Sequence, residues 1–251
     1  MDIDRQRRTW TRGFLAGALG LLLPQHAAAR PPLKLAVMSV LPLGMVDATG
    51  KPFGMYADMG VQVVRDAGFE AEVAVVPLPR AIALLAAGQS DLLIAFQTKP
   101  IADAAIPLYY VANVDVIIAG LRGSSFNNLS DLHGKTVGQQ RGADYDPRFS
   151  GDSAIKKYDV TDTPHLLRML MAGRVDAVIA NANTLLYYLK SAGMSRDQLG
   201  SFMLVRRRQS WLWYSRKTYE EATALKLKAA LRRMHANGEL DAIYQHYVQG
   251  L

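Results

Sequence analysis

The 251-residue chain contains no cysteine, and this absence excludes several kinds of site. Without thiols the chain forms no disulfide, binds no metal through thiolates and carries no lipid-anchored cysteine. Long hydrophobic runs are also missing, because no apolar stretch reaches the roughly 20 residues that a membrane-spanning helix needs. Half of the residues are nevertheless hydrophobic, which is enough to build the core of one large or two small domains.

Strong charge is absent as well, since charged residues make up only 20% of the chain and the formal net charge is +7. The densest basic run is Arg206-Arg207-Arg208, which we interpret as a solvated turn. No recognised nucleic-acid motif and no interleaved aromatic residues accompany it, so we expect no nucleic-acid partner. A modest basic excess spread along the chain favours solubility.

The first 29 residues have the three-part pattern of a secretory signal peptide. Four arginines precede a short apolar stretch, and Ala27-Ala28-Ala29 provides small residues for cleavage. The pair Arg7-Arg8 resembles a twin-arginine signal, but Gln6 and Thr11 depart from that pattern, so the Sec and twin-arginine routes both stay open. We expect residues 1–29 to be removed and the mature chain, with 25 basic and 20 acidic residues, to be exported to the periplasm.

One pattern occurs twice in the remaining chain, over residues 81–95 and 166–180. In each copy apolar residues at helical spacing end at a glycine, Gly88 or Gly173, which can adopt the left-handed conformation that ends a helix. An aspartate and an apolar run of strand length follow. Two such units predict two similar α/β lobes, and a cleft between lobes is a typical site for small ligands.

Strands and helices alternate along the mature chain, which predicts mainly parallel sheets with right-handed crossovers. The first lobe is expected to comprise residues 30–119 and 211–251, and the second residues 120–210. The chain then crosses between the lobes twice, near 121–128 and 211–215, and forms a hinge of limited bending. The fold class is therefore α/β, with two lobes of mixed, mainly parallel sheets joined by a two-crossing hinge. Besides the repeated units, strands are expected at 33–40, 71–76, 114–119, 136–139 and 202–205, and helices at 56–67, 129–132, 183–192, 219–237 and 239–247.

Several short motifs, in this order and spacing, resemble the extracellular solute-binding proteins of family 3, the receptors of polar amino-acid-type ABC importers. They are residues 50–58, both helix-glycine-strand units, residues 129–138 and residues 237–244. The resemblance implies a periplasmic binding protein-like fold of type II and a small polar solute held between the lobes. It also implies a membrane ABC permease as partner, a monomer, and neither cofactor nor metal.

The same resemblance implies ligand-binding positions, and two charged anchors of the family are changed in this chain. The carboxylate-binding arginine of the family falls near Lys99, Ile101 or Asp103, and the spacing leaves open which of the three replaces it. Lys99 offers a point charge for an anion or is a solvated loop lysine. Asn181 stands where the family holds the ligand's ammonium group with an aspartate, and an amide does not neutralise a cation. A plain α-amino acid held in the usual way is therefore disfavoured.

The loop after residue 139 is expected to contact the ligand from the second lobe. Gly142 permits close backbone approach. Asp144 faces the expected carboxylate site, so either Arg141 pairs with it or the ligand carries positive charge; a role as a turn residue is the open alternative. Tyr110 and Tyr145 are the aromatic candidates for ligand contact. The candidates on first-lobe loops are Leu41, Phe53, Leu78, Arg80, Gln97 and Thr98.

Two other functions stay open at this level. A catalytic relative of the fold, such as a cyclohexadienyl dehydratase-like lyase, needs a placed carboxylic acid, usually Glu, in the cleft. All five glutamates fall on the second strand or the C-terminal helices, and no histidine pair has the spacing of a metal site. We therefore expect no enzyme activity. A soluble sensor component that passes closure to another membrane partner uses the same fold as a transport receptor.

Overall fold

The computed structural model describes residues 31–143 and 145–248, so the predicted signal peptide and Asp144 lie outside the described residues. Strands and helices alternate along this part of the chain. The strands are β1 Leu33–Met38, β2 Met45–Val46, β3 Pro52–Phe53, β4 Ala71–Val76, β5 Leu92–Phe96, β6 Ala105–Ala119, β7 Thr136–Gln140, β8 Lys156–Val160, β9 Ala177–Asn181 and β10 Met203–Ser215. The helices are α1 Met55–Asp66, α2 Leu78–Ala87, α3 Lys99–Ala104, α4 Pro147–Gly151, α5 Thr163–Met171, α6 Ala182–Ser191, α7 Glu221–Ala236 and α8 Glu239–Val248, with short 3₁₀ helices at Leu129–Leu132 and Arg196–Gln198.

Eight of these strands form one sheet in the order β4-β1-β5-β10-β6-β9-β7-β8. Strand β1 pairs in parallel with β4 and β5, and β7 pairs in parallel with β8 and β9. Strands β10 and β6 pair antiparallel with each other and join the two parallel sets. The predicted mixed α/β fold with mainly parallel pairing is confirmed.

The sheets predicted for the two halves join into one continuous sheet. They join because β6 and β10 are long, with 15 and 13 residues, and belong to both halves of the molecule. The C-terminal part of β10 pairs with β5 of the first half, and the C-terminal part of β6 pairs with β9 of the second half. The chain therefore passes between the halves inside strands, near residues 112–116 and 206–210. Both passages precede the crossings predicted at 121–128 and 211–215. The lobe boundaries given above stay a prediction.

The repeated unit explains how the parallel sets are built. Helix α2 ends directly before Gly88, whose φ is 71°, and α5 ends two residues before Gly173, whose φ is 64°. In the first unit Asp91 accepts a hydrogen bond from the Lys34 amide at the start of β1, 2.8 Å between nitrogen and carboxylate oxygen. In the second unit Asp176 accepts the equivalent bond from the Thr136 amide at the start of β7, at 2.7 Å. Each aspartate therefore fixes its own strand beside the neighbouring one.

Each half has its own apolar core. In the first half α1, α7 and the strands bury one cluster that contains Tyr56 and Trp213. In the second half one cluster, around Leu166 and Val178, and another, around Phe149 and Val137, make up the core. Separate cores allow each half to stay rigid while the two shared strands bend.

Candidate functional site

The carboxyl ends of the parallel strands in the two halves point toward each other. Strand β6 runs from the first half into the second, and β5 runs in the same direction because both are antiparallel to β10. Strand β9 is antiparallel to β6 and therefore runs back toward the first half. The loops after β1, β4 and β5 consequently face the loops after β7, β8 and β9 across one gap, which we call the solute gap.

The strand register gives the width of the solute gap. The last residue of β5, Phe96, lies opposite Ser210, which itself lies opposite Ala112 of β6. The last residue of β9, Asn181, lies opposite Val116 of β6. Positions 112 and 116 are therefore about 13 Å apart, at roughly 3.3 Å per strand residue. The ends of β5 and β9 are therefore separated by about this length along the shared strands.

The topology brings most of the predicted site residues to the two edges of the solute gap, although their contacts with a ligand stay a prediction. Those of the first half are Leu41 after β1, Leu78 and Arg80 in α2 after β4, and Gln97, Thr98 and Lys99 after β5. Those of the second half are Arg141 and Gly142 after β7, and Asn181 at the end of β9. Phe53 lies in β3 and pairs with Met45 of β2.

Thr98 has a buried hydroxyl without a hydrogen-bond partner among the described residues. It precedes α3 but makes no side-chain capping bond to that helix. A buried hydroxyl left unpaired costs about 1–3 kcal/mol, so a bound molecule that supplies a partner gains free energy at this position. Its neighbour Lys99 pairs with Asp103 at 3.0 Å, with side chains 86% and 63% exposed. This exposed pair partly neutralises the lysine and favours the solvated-lysine alternative.

In the second half, Gly142 is exposed and has a φ of 75°, a conformation that favours glycine. Arg141 is exposed as well, and its pairing with Asp144 stays open because Asp144 lies outside the described residues. Asn181 is half-buried and makes no side-chain capping bond to α6. Its side-chain amide is therefore not occupied by a hydrogen bond to the first turn of that helix.

Tyr145 lies in the core of the second half and is only 7% exposed. Burial raises the pKa of its hydroxyl to about 12. This position does not favour the predicted ligand contact, because a ring packed among apolar side chains presents little surface to the solute gap. The sequence signal was an aromatic residue in a loop, which does not distinguish a ring that faces a ligand from one that packs inward.

A cavity of about 750 Å³, which we call the hinge cavity, adjoins the two long strands and α8. Tyr110 is the predicted site residue that contributes to its wall. Burial, and then the charge of Asp241, raise the pKa of the Tyr110 hydroxyl. Its ring stacks on His235 with 5.1 Å between ring centroids. A second cavity, of about 360 Å³, is lined by the predicted site residue Gln97 and by Trp211, which was not a predicted site residue.

The arginine run predicted as a solvated turn lies in the strand β10, so the predicted turn is wrong, although Arg206 and Arg207 are exposed. Arg207 donates two hydrogen bonds to Asp115 on β6, Nε to Oδ1 at 2.7 Å and Nη2 to Oδ2 at 3.0 Å. The guanidinium of Arg208 lies over the Phe96 ring, 4.6 Å from its centroid. Cross-strand and aromatic partners let consecutive arginines continue a strand where the sheet is exposed between the two halves.

Two side-chain contacts connect the halves beside the solute gap. The Tyr244 hydroxyl of α8 donates to Oδ1 of Asn183 in α6, with 3.0 Å between the oxygens. The Tyr187 hydroxyl of α6 reaches Sδ of Met45 in β2 at 3.7 Å. Sequence reasoning missed Asp115, Asn183, Arg207 and Tyr244, because their partners are far away along the chain.

In residues 31–143 and 145–248, no group of three or more His, Asp and Glu side chains is placed to hold a metal ion. None of the helices described there has both the length and the apolar character needed to cross a membrane.

No family model matches the chain, but several known proteins are similar to it. The arginine-binding extracellular protein ArtP of Bacillus subtilis (strain 168) is 27% identical over 207 residues, which cover 78% of each protein. The arginine-, lysine-, histidine-binding protein ArtJ of Geobacillus stearothermophilus has a TM-score of 0.65 at 20% identity, covering 86% of this chain and 95% of that one. A histidine kinase sensor domain with similarity to periplasmic binding proteins has a TM-score of 0.70 at 16% identity, covering 88% of this chain and 97% of that one.

The chain has the fold of the type II periplasmic binding proteins, with the strand ends of its two halves facing each other. The similarity to ArtP agrees with the predicted resemblance to the extracellular solute-binding proteins of family 3.

Proposed function

We propose that this chain is a periplasmic solute-binding protein that captures a small polar solute between its two halves and delivers it to an ABC permease. The observation that supports this proposal is the convergence of the carboxyl-end loops of both halves on one gap. The two relatives that are binding proteins, ArtP and ArtJ, also bind small solutes according to their names. Export to the periplasm agrees with the extracellular location in the name of ArtP.

The solute binds first to the loops of one half, and closure then adds contacts from the other. The hydroxyl of Thr98 supplies a hydrogen bond from the first half, and the amide of Asn181 supplies one from the second. Gly142 leaves its backbone amide accessible to the same molecule. A solute that touches both halves stabilises the closed form, which the membrane partner recognises.

The changed anchors limit the class of solute. ArtP binds arginine according to its name. In this chain residues 97–104, directly after β5, contain no arginine, and the amide of Asn181 stands where the family resemblance implies a carboxylate. We therefore propose a polar solute held chiefly by hydrogen bonds rather than by a pair of opposite charges. We propose no catalytic step, because none of the five glutamates lies on the loops at the solute gap.

A thermal-shift screen of amino acids, organic acids, amines and short peptides tests this function. A true ligand raises the melting temperature through its preference for the folded state. Asn181→Ala and Thr98→Val should each reduce that shift, whereas Asn127→Ala, on an exposed residue at the amino-end side of β7 and away from the gap, should leave it unchanged. The proposal fails if no compound stabilises the protein or if Asn181→Ala leaves every shift intact. Turnover of prephenate or arogenate would instead support the lyase.

A further inference from the structure

We propose that the hinge cavity is a second ligand site, which takes a small alkylammonium monocation and is separate from the solute gap. Its volume of about 750 Å³ lies in the usual range for sites that hold small molecules. Its walls come from the two long strands, from α8 of the first half and from the start of α6 in the second half. A molecule bound there therefore touches both halves.

The charges around the hinge cavity favour a cation. Two carboxylates, Asp115 and Asp241, and one guanidinium, Arg207, line it. Arg207 already neutralises Asp115 through two charge-assisted hydrogen bonds. Asp241 is exposed and makes no ion pair or hydrogen bond within the described residues. One negative charge is therefore left for a ligand to neutralise.

The neighbouring polar groups suit an ammonium group, which has three donors and no acceptor. The carboxylate of Asp241 is one acceptor, and the side-chain oxygen of Gln245 is a second. The Tyr244 oxygen is a third, because this hydroxyl donates its hydrogen to Asn183 and keeps its lone pairs. The three residues lie on one face of α8, at positions 241, 244 and 245, where side chains three and four residues apart are neighbours.

An apolar part of the wall suits a short alkyl chain. The Tyr110 ring lines the cavity, is only partly buried and stacks on His235. A hydrocarbon chain that covers the accessible part of this ring releases water from apolar surface. A cation with a short aliphatic chain matches the site better than an inorganic ion, which leaves this part of the wall uncovered.

Calorimetric titration of the purified protein with butylammonium chloride at about pH 8 tests the inference. Butanol and butyrate have the same chain with no charge and with negative charge. We expect saturable binding of butylammonium, and weaker or no binding of the other two.

Asp241→Asn should weaken butylammonium binding by about tenfold or more. Glu72→Gln makes the same change of charge on an exposed position of β4 and should leave binding unchanged. The absence of a saturable signal, equal binding of butyrate, or equal affinity in Asp241→Asn would each overturn the inference.

A further variant separates the hinge cavity from the solute gap. Asn181→Ala alters the solute gap and should leave butylammonium binding unchanged, while loss of binding in that variant would place the cation in the solute gap and refute the second site. If the thermal-shift screen finds no solute but butylammonium binds in an Asp241-dependent way, the transport proposal fails and the second site stands. If a solute binds and butylammonium does not, the second site alone is refuted.

Discussion

Tyr244 donates a hydrogen bond to Oδ1 of Asn183, and this bond joins the C-terminal helix of the first half to helix α6 of the second. Asn183 is only 8% exposed, and α6 begins directly after the predicted ligand residue Asn181. The Tyr244 hydroxyl of the first half therefore helps to position α6, and with it the second-half edge of the solute gap. The contact belongs to the arrangement of the two halves seen in this structure.

Tyr244→Phe should loosen this arrangement. The substitution leaves a buried amide oxygen without its partner, at a cost of about 1–3 kcal/mol. We expect a larger radius of gyration in small-angle X-ray scattering and weaker solute affinity, by about 5- to 100-fold. Tyr219→Phe is the matched control, because Tyr219 is 36% exposed and its ring contacts Tyr214 rather than the hinge. Unchanged scattering and affinity in Tyr244→Phe would show that the bond does not hold the halves.

Asp91→Ala should destabilise the first half. Its carboxylate accepts the Lys34 amide at 2.8 Å, and the variant leaves that amide at the start of β1 without this partner. Hydrogen bonds to charged groups contribute about 1.5–3 kcal/mol, so the urea midpoint should fall measurably. Asp103→Ala removes an exposed carboxylate, 63% accessible, from a surface ion pair and should have little effect. Equal midpoints for the two variants would argue against a structural role for the repeated aspartate.

Gly200→Ala should destabilise the second half through a steric conflict. A β-carbon at this position would lie 2.2 Å from the backbone oxygen of Ser124, an atom that cannot rotate away. Overpacking of this kind costs about 1–3 kcal/mol. Gly151→Ala, where no atom lies within 4 Å of the added carbon, should be neutral or slightly stabilising in thermal unfolding. A Gly200→Ala protein with an unchanged melting temperature would contradict the packing of this loop.

Tyr145 should make stability fall at high pH. Burial raises the pKa of its hydroxyl to about 12 in the folded state, above the ordinary value of 10. The folded protein therefore retains the proton where the unfolded chain loses it. The stabilisation that comes from this difference in the pKa of Tyr145 is complete below about pH 10 and is lost as the pH rises through 12. Tyr145→Phe should reduce the decrease in unfolding free energy between about pH 9 and 12, by up to about 3 kcal/mol. Parallel pH curves for both proteins would contradict this assignment.

The repeated unit shows how much of the fold could be predicted from the sequence. Its glycine marks the end of a helix, and its aspartate marks the start of a strand that lies beside a neighbouring strand. Strands β5 and β9 follow these residues as predicted. Strand β8 was missed because only Val160 of its five residues is buried, so it lacks the apolar pattern of a central strand. The length of β10 was missed because the arginines in its middle are polar on a stretch of sheet exposed between two halves.

The candidate site was predictable only in part, for a related reason. Loops that follow parallel strands converge whatever their side chains, so motif order was enough to bring Thr98 and Asn181 to one gap. The pair of Arg207 with Asp115 joins residues 92 positions apart, and no local pattern records such a partner. Tyr145 shows the converse, since a local pattern does not reveal which side of its loop faces the core.

Distance measurement across the solute gap tests the central claim most directly. The cysteine-free chain allows spin labels at only two introduced cysteines, Val46→Cys in the first half and Thr161→Cys in the second, both exposed. Pulsed electron paramagnetic resonance would then give the distribution of distances between the two spin labels, with and without a solute found in the thermal-shift screen. Solute binding should shift the distribution to shorter distances and narrow it. An unchanged distribution at a solute concentration that saturates the protein would contradict closure of two halves around a bound molecule.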